Sequence, residues 1–126
     1  MYLLDTHILL WCLEGSPRLK PQAQKLITDP DQIIFVSAVN VWEIIVKKML
    51  GKLTVPDNLQ EVIEKTGFKV LPITLEDALM LESLPAIHAD PFDRLLIAQA
   101  KRHQLTFITH DAHCAAYPIS ILNPIT

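Results

Sequence analysis

Four acids, Asp5, Glu43, Asp93 and Asp111, come from distant parts of this 126-residue chain. Each stands close to a boundary between an apolar run and a segment of different character. Asp5 closes "MYLLD", Asp111 follows "TFITH", Glu43 lies just beyond "IIFVS", and Asp93 lies in "DPFDRLLIAQA". Carboxylates brought within a few ångströms of one another repel, and burial adds a desolvation cost, so such a set must hold protons or cations. Hard divalent ions are the natural occupants, because Mg²⁺ and Mn²⁺ prefer oxygen donors. Mg²⁺ also keeps several waters and binds through one or two carboxylates together with a substrate phosphate. That donor set suits phosphodiester hydrolysis, in which an ion lowers the pKa of a bound water and stabilises charge on the leaving oxygen.

For the acids to meet, the elements between them must bring their ends to one edge. Four short apolar runs without alternation, 1–5, 33–37, 68–73 and 106–110, read as strands covered on both faces, with a weaker fifth at 119–122. Helical patterns lie between them. "HILLWCLEG" follows Asp5, and Ser16 with Pro17 opens a second helix running through "RLKPQAQKLITD". Ser37 caps a third, whose apolar positions Trp42, Ile45, Val46, Met49 and Leu50 recur at helical spacing before Gly51 stops it. "DNLQEVIEKTG" begins with an Asp cap, "LEDALMLESLP" ends before Pro85, and the last helix is "PFDRLLIAQAKRH". This alternation predicts an α/β three-layer sandwich around a mostly parallel sheet of four to five strands, in a single domain over 1–126. In such sheets the functional crevice lies beyond the carboxyl ends of the strands, where these acids fall.

Each acid also has an ordinary structural role. Asp5 with Thr6 can cap the first helix, Glu43 can pair with Lys47 at i+4, and Asp111 can begin a turn. Asp90 is a good N-cap ahead of Pro91, and Asp93 at the third position favours the helix dipole. Spacing therefore separates the pair in "DPFD" into a positioning residue, Asp90, and a ligand candidate, Asp93. What the separate roles leave unexplained is the coincidence of four acids at one predicted edge.

Composition narrows the classes further. The formal charge of −3 argues against broad attraction to nucleic acid, but setting four clustered acids aside leaves 10 acids against 11 Lys and Arg, or about +1. An RNA substrate stays compatible with that balance. Apolar runs are too short to span a membrane, and the N-terminus has an acid at position 5 and no basic start, so a cytoplasmic location is expected. Cys12 and Cys114 lack metal spacing. The five histidines, His7, His88, His103, His110 and His113, likewise form no established zinc pattern, and three glycines leave no phosphate loop. Trp11 and Trp42, set among apolar neighbours at helical spacing, are expected in the core. Lys47, Lys48 and Lys52, and Lys101 with Arg102 and His103, are two basic groups within reach of an RNA backbone or simply solvated.

The segments "LLDTHILLW", "VSAVNVWEI", "DPFDRLLIAQA" and "LTFITHD" together resemble the PIN domain, specifically VapC-type toxin ribonucleases of prokaryotic toxin–antitoxin pairs. The resemblance spans essentially the whole chain. It implies a Mg²⁺- or Mn²⁺-dependent endoribonuclease with Asp5, Glu43, Asp93 and Asp111 as catalytic and metal-binding acids. Thr6, Ser37, Asn40 and Thr109 match the small polar residues that support them. It further implies an antitoxin whose C-terminal segment occupies the site, and a homodimer. One departure is the "DPFDR" version, which adds Asp90 and places Arg94 beside Asp93; Arg94 is open to a phosphate or antitoxin contact, or to an ion pair with Asp90. Two other readings stand beside this one. A receiver-like Mg²⁺-binding module would want paired acids after the first strand and a Lys after the last, neither of which is present; a noncatalytic PIN-like binding protein would have no need of all four acids.

Overall fold

The computed structural model describes residues 1–87 and 89–125, leaving His88 and Thr126 outside the described residues. Five strands form the sheet: β1 (Tyr2–Leu4), β2 (Ile34–Ser37), β3 (Lys69–Leu71), β4 (Thr106–Ile108) and β5 (Ile121–Leu122). All neighbours pair in parallel, in the order β3-β2-β1-β4-β5. Tyr2 stands beside Ile34 on one side and Thr106 on the other, so β1 is the central strand. Every expected strand is present, each trimmed at one end or both.

Among the described residues six α-helices connect them: α1 (Thr6–Glu14), α2 (Pro21–Thr28), α3 (Ala38–Met49), α4 (Leu59–Thr66), α5 (Leu75–Met80) and α6 (Pro91–His103). The pleat divides the core in two. Leu3 and Phe107 point to the side packed by the apolar face of α6, whereas Leu4, Ile34, Val36 and Ile108 point to the side covered by α1, α2 and α4. Burial of both faces explains why β1, β2 and β4 read as continuous apolar runs, whereas the edge strand β3, expected to be covered too, leaves Lys69 and Val70 exposed. That burial also makes the molecule the three-layer α/β sandwich expected from its sequence.

Local chemistry shifts three helix boundaries. The second helix begins at Pro21, not Ser16, because Ser16 Oγ instead accepts the Arg18 N–H in a turn. The helix α4 is capped at Asn58 with no side-chain hydrogen bond, so Asp57 is free to pair with Lys48. The α5 pattern breaks after Met80 into a 3-10 turn at Leu81–Ser83.

One expectation about the core is overturned. Trp42 is 47% exposed, and Ile45, Met49 and Leu50 are exposed with it. The inward face of α3 carries Val39, Asn40, Glu43 and Ile44 instead. Two apolar stripes run along this helix, and periodicity alone could not choose between them; the polar ties of Asn40 decide the rotation. Trp11, in contrast, is in the core as expected.

Strand addition reverses direction between β3 and β4. The chain builds outward from β1 through β2 to β3, then crosses back to place β4 on the opposite side of β1. Loops leaving the carboxyl ends of β1 and β4 therefore part to opposite faces and open a crevice.

Candidate active site

A cavity of about 360 Å³ occupies that crevice, and Asp5, Glu43, Asp90, Asp93 and Asp111 all line it. The four acids singled out from the sequence are thus brought to one place by β1, α3, α6 and β4. His7, Lys47, His110, Ala112 and His113 complete the lining.

Asp5 is 4% exposed and fully engaged on its protein side. One oxygen accepts the Thr6 N–H at 2.7 Å, and the other accepts the Thr109 hydroxyl at 2.6 Å. Burial pushes its carboxyl up, opposed by the Thr109 and Thr6 hydrogen bonds and by His7, with Glu43 adding to the rise. Thr109 also accepts the Asp111 N–H at 3.1 Å, so one hydroxyl couples the ends of β1 and β4. Asp111 in turn accepts the N–H of His113 and caps the 3-10 turn Ala112–Ala116.

Glu43 is placed by the start of α3. Ser37 Oγ accepts the Val39 N–H while Asn40 Oδ1 accepts the Ser37 N–H, which closes a capping box. The Asn40 amide donates to Leu4 O at 3.1 Å and to Thr6 Oγ1 at 3.0 Å, tying α3 to the end of β1. Glu43 follows one turn later, 3% exposed. Its Oε2 pairs with Lys47. Its Oε1 is buried without a hydrogen-bond partner among the described residues. An orphaned carboxylate oxygen costs several kcal/mol in effective desolvation, so it marks a place where a cation or a proton donor belongs.

At the opening of α6 both aspartates line the cavity, and Asp90 takes the expected N-cap role. Exposed Asp90 accepts the N–H groups of Phe92 and Asp93 and fixes where the helix starts. Asp93, half-buried, is pushed up to about 8 by burial and by the charges of Asp5, Asp90, Glu43 and Asp111. Lys47 is raised as well: burial lowers it, but Glu43, Asp90 and Asp93 more than compensate.

The donor set fits a hard divalent ion. All the anionic oxygens are carboxylate, one of them is orphaned, and the group carries more negative charge than Lys47 can balance. Among the described residues no three His, Cys, Asp or Glu side chains are already gathered as ligands around one point. An ion bound through one or two carboxylates and waters needs no closer set.

Arg94 lies elsewhere. Its guanidinium donates to Pro85 O at 2.8 Å, Tyr117 Oη at 3.3 Å and Leu81 O at 3.4 Å, so it clamps the segment before α6 and neither pairs with Asp90 nor reaches the cavity. The basic groups are largely committed too: Lys48 pairs with Asp57, and Arg102 with buried Asp77. Two features escaped sequence reasoning. Gln99, fully buried in α6, accepts the Ser37 hydroxyl and donates to Asp77, linking the α3 cap to the far side of α6. Imidazoles of His7, His110 and His113 line the cavity, and their only signal was adjacency to Asp5 and Asp111. His88 lies outside the described residues.

The sequence matches the family model described as PIN domain over residues 2–119. The chain belongs to the PIN-domain family. Membership sets aside the receiver-like reading. No curated protein matches this PIN domain by sequence. Among solved structures it is similar to "VapBC2 from Rickettsia felis bound to a DNA fragment from their promoter", with a TM-score of 0.74 and 14% identity, covering 97% of each chain. A toxin–antitoxin complex from Klebsiella pneumoniae gives 0.70 and 21% over 98% of each chain. FitAcB from Neisseria gonorrhoeae gives 0.69 and 23%, again over 98% of each. At these identities the likeness shows a shared PIN fold.

Proposed function

We propose that this PIN domain is a metal-dependent endoribonuclease, the toxin of a toxin–antitoxin pair, hydrolysing RNA phosphodiesters at Asp5, Glu43, Asp93 and Asp111. The observation that carries the reading is the convergence of Asp5, Glu43, Asp93 and Asp111 on one cavity, with Glu43 Oε1 buried and without a hydrogen-bond partner among the described residues. Crowded carboxylates of this kind are stabilised by a bound cation. Those four acids would hold Mg²⁺ or Mn²⁺, which supplies a water of lowered pKa and charge stabilisation at the leaving oxygen. Asp5 is kept oriented by Thr6 and Thr109, and Lys47 steadies one oxygen of Glu43, so the other would be available to the ion. Asp111, anchored through Thr109 and His113, holds the far side of the cavity.

Antitoxin pairing is supported by structural neighbours described as toxin–antitoxin complexes or bound with their partner to promoter DNA. Exposed Trp42, Ile45, Met49 and Leu50 on α3 support a homodimer, since an apolar stripe of this kind is usually covered by protein. A cytoplasmic setting follows from RNA as substrate; among the described residues no helix is long and apolar enough to cross a membrane.

Two linked assays test this reading. Expression should arrest growth, with relief by the product of a small adjacent gene. Purified protein with Mn²⁺ should cut labelled RNA, leaving no 2′,3′-cyclic phosphate, because the nucleophile is water and not the 2′-hydroxyl. Cleavage that persists in EDTA, or cyclic-phosphate products, would refute it.

A further inference from the structure

Besides acids and Ala112, the cavity is lined by Lys47 and three imidazoles. Lys47 is paired with Glu43, and His113 lies against Asp111 at 3.1 Å. The rings of His7 and His110 make no hydrogen bond or ion pair among the described residues, and the hydrolysis proposed above leaves them without a task.

Both belong to a larger aromatic surface. His110 stacks on Trp11, with centroids 4.9 Å apart and planes at 15°. His7 meets His110 edge-on at 5.8 Å and 77°. The Arg18 guanidinium sits 5.5 Å from the Trp11 ring centroid. Trp11 is buried, so it cannot receive a base itself; it holds His110 in place. His7 is exposed and His110 half-buried, which leaves ring surface open to the cavity.

Trp11 and Arg18 stand behind the cavity lining, and the imidazoles in front of them suit an unpaired nucleotide, because every base offers a π-face and ring N–H groups can donate to phosphates. Charge sets the direction. A polyanionic strand is repelled by the acids except where an ion intervenes, so it must leave the cavity over its non-acidic wall. We infer that His7 and His110 form a subsite for an unpaired nucleotide of single-stranded RNA, adjoining the scissile phosphate. The inference rests on the nuclease reading and deepens it. A duplex, whose bases are stacked on one another, cannot present a free face there.

Binding tests this without turnover. In an Asp93→Asn background of the full chain, a fluorescein-labelled single-stranded RNA octamer and the same strand in duplex form are titrated by anisotropy. His110→Ala should weaken single-strand binding about tenfold, within the range of one lost base stack, with an unchanged salt slope. His110→Phe should restore it, and duplex binding should stay weak throughout. The substitution His7→Ala, at an exposed position, should weaken binding without any cost to the core. Single-strand affinity unchanged in both alanine variants would overturn the inference, as would duplex bound as tightly as single strand. Unchanged RNA binding with lost antitoxin inhibition would give this wall to the protein partner and overturn it as well. Failure of the wild type to cut RNA with Mn²⁺ would sink the nuclease reading alone, since the anisotropy arms still decide the subsite.

Discussion

Asp93 carries a penalty in the metal-free protein that can be measured. A carboxyl near 3.9 in the unfolded chain and about 8 in the folded one binds more protons when folded. Stability should therefore fall as pH rises from about 4 to about 8. Melting temperatures recorded in EDTA across that range should show the decline, and Asp93→Asn should flatten it and raise the value at pH 8. Thr109 makes a different prediction, because it touches two acids without lining the cavity. Thr109→Val removes the hydroxyl that holds Asp5, and loss of such an outer partner costs roughly 10–100-fold in metal affinity. Isothermal titration with Mn²⁺ should show that weakening while circular dichroism stays unchanged.

At the scale of elements, the helix α6 joins site and scaffold. Its first turn presents Asp93, its middle buries Leu96, Ile97 and Gln99, and its last turn reaches Asp77 through Arg102. Burial alone would raise Asp77, but hydrogen bonds from Gln99, Arg102 and the Thr74 N–H, with the Arg102 charge, hold it down to about 2. A depressed carboxyl contributes stability above its unfolded pKa and loses it as pH falls. Acid denaturation of the wild type should thus have a component between about pH 4 and pH 2 that Asp77→Asn lacks. The same helix ends at Gln104 with φ of +55°, a conformation that favours glycine, so Gln104→Gly should stabilise by about 0.5–1 kcal/mol in urea titrations. Much of this element was legible: Asp90, Pro91 and the run to His103 marked α6 to the residue. Gln99 was not, because a glutamine in an apolar stretch gives no sign of which distant Ser or Asp it will meet. Ser16 misled for a related reason, since a Ser-Pro start suits a turn as well as a helix. Trp42 misled because α3 has two apolar stripes and only tertiary ties from Asn40 choose between them.

For the whole molecule, parallel pairing around β1 and the reversal between β3 and β4 convert four sequence-distant acids into neighbours. The acids were legible as a set because Asp5 and Asp111 follow strands, Asp93 lies in the first turn of α6 and Glu43 lies one turn into α3. The histidine wall was hidden, since His7 and His110 come within reach only because β1 and β4 pair in the sheet. The same scale governs assembly: the exposed stripe on α3 should hold two copies together. Sedimentation should give a dimer for the wild type and a monomer for Ile45→Lys with Met49→Lys, at unchanged far-UV signal. The central claim is most directly tested by Mn²⁺-dependent cleavage of a labelled RNA by wild type, Asp5→Asn and Asp93→Asn, each shown to be folded. Cleavage by the wild type and its loss in both variants is the predicted result. Undiminished cleavage in both would contradict the account.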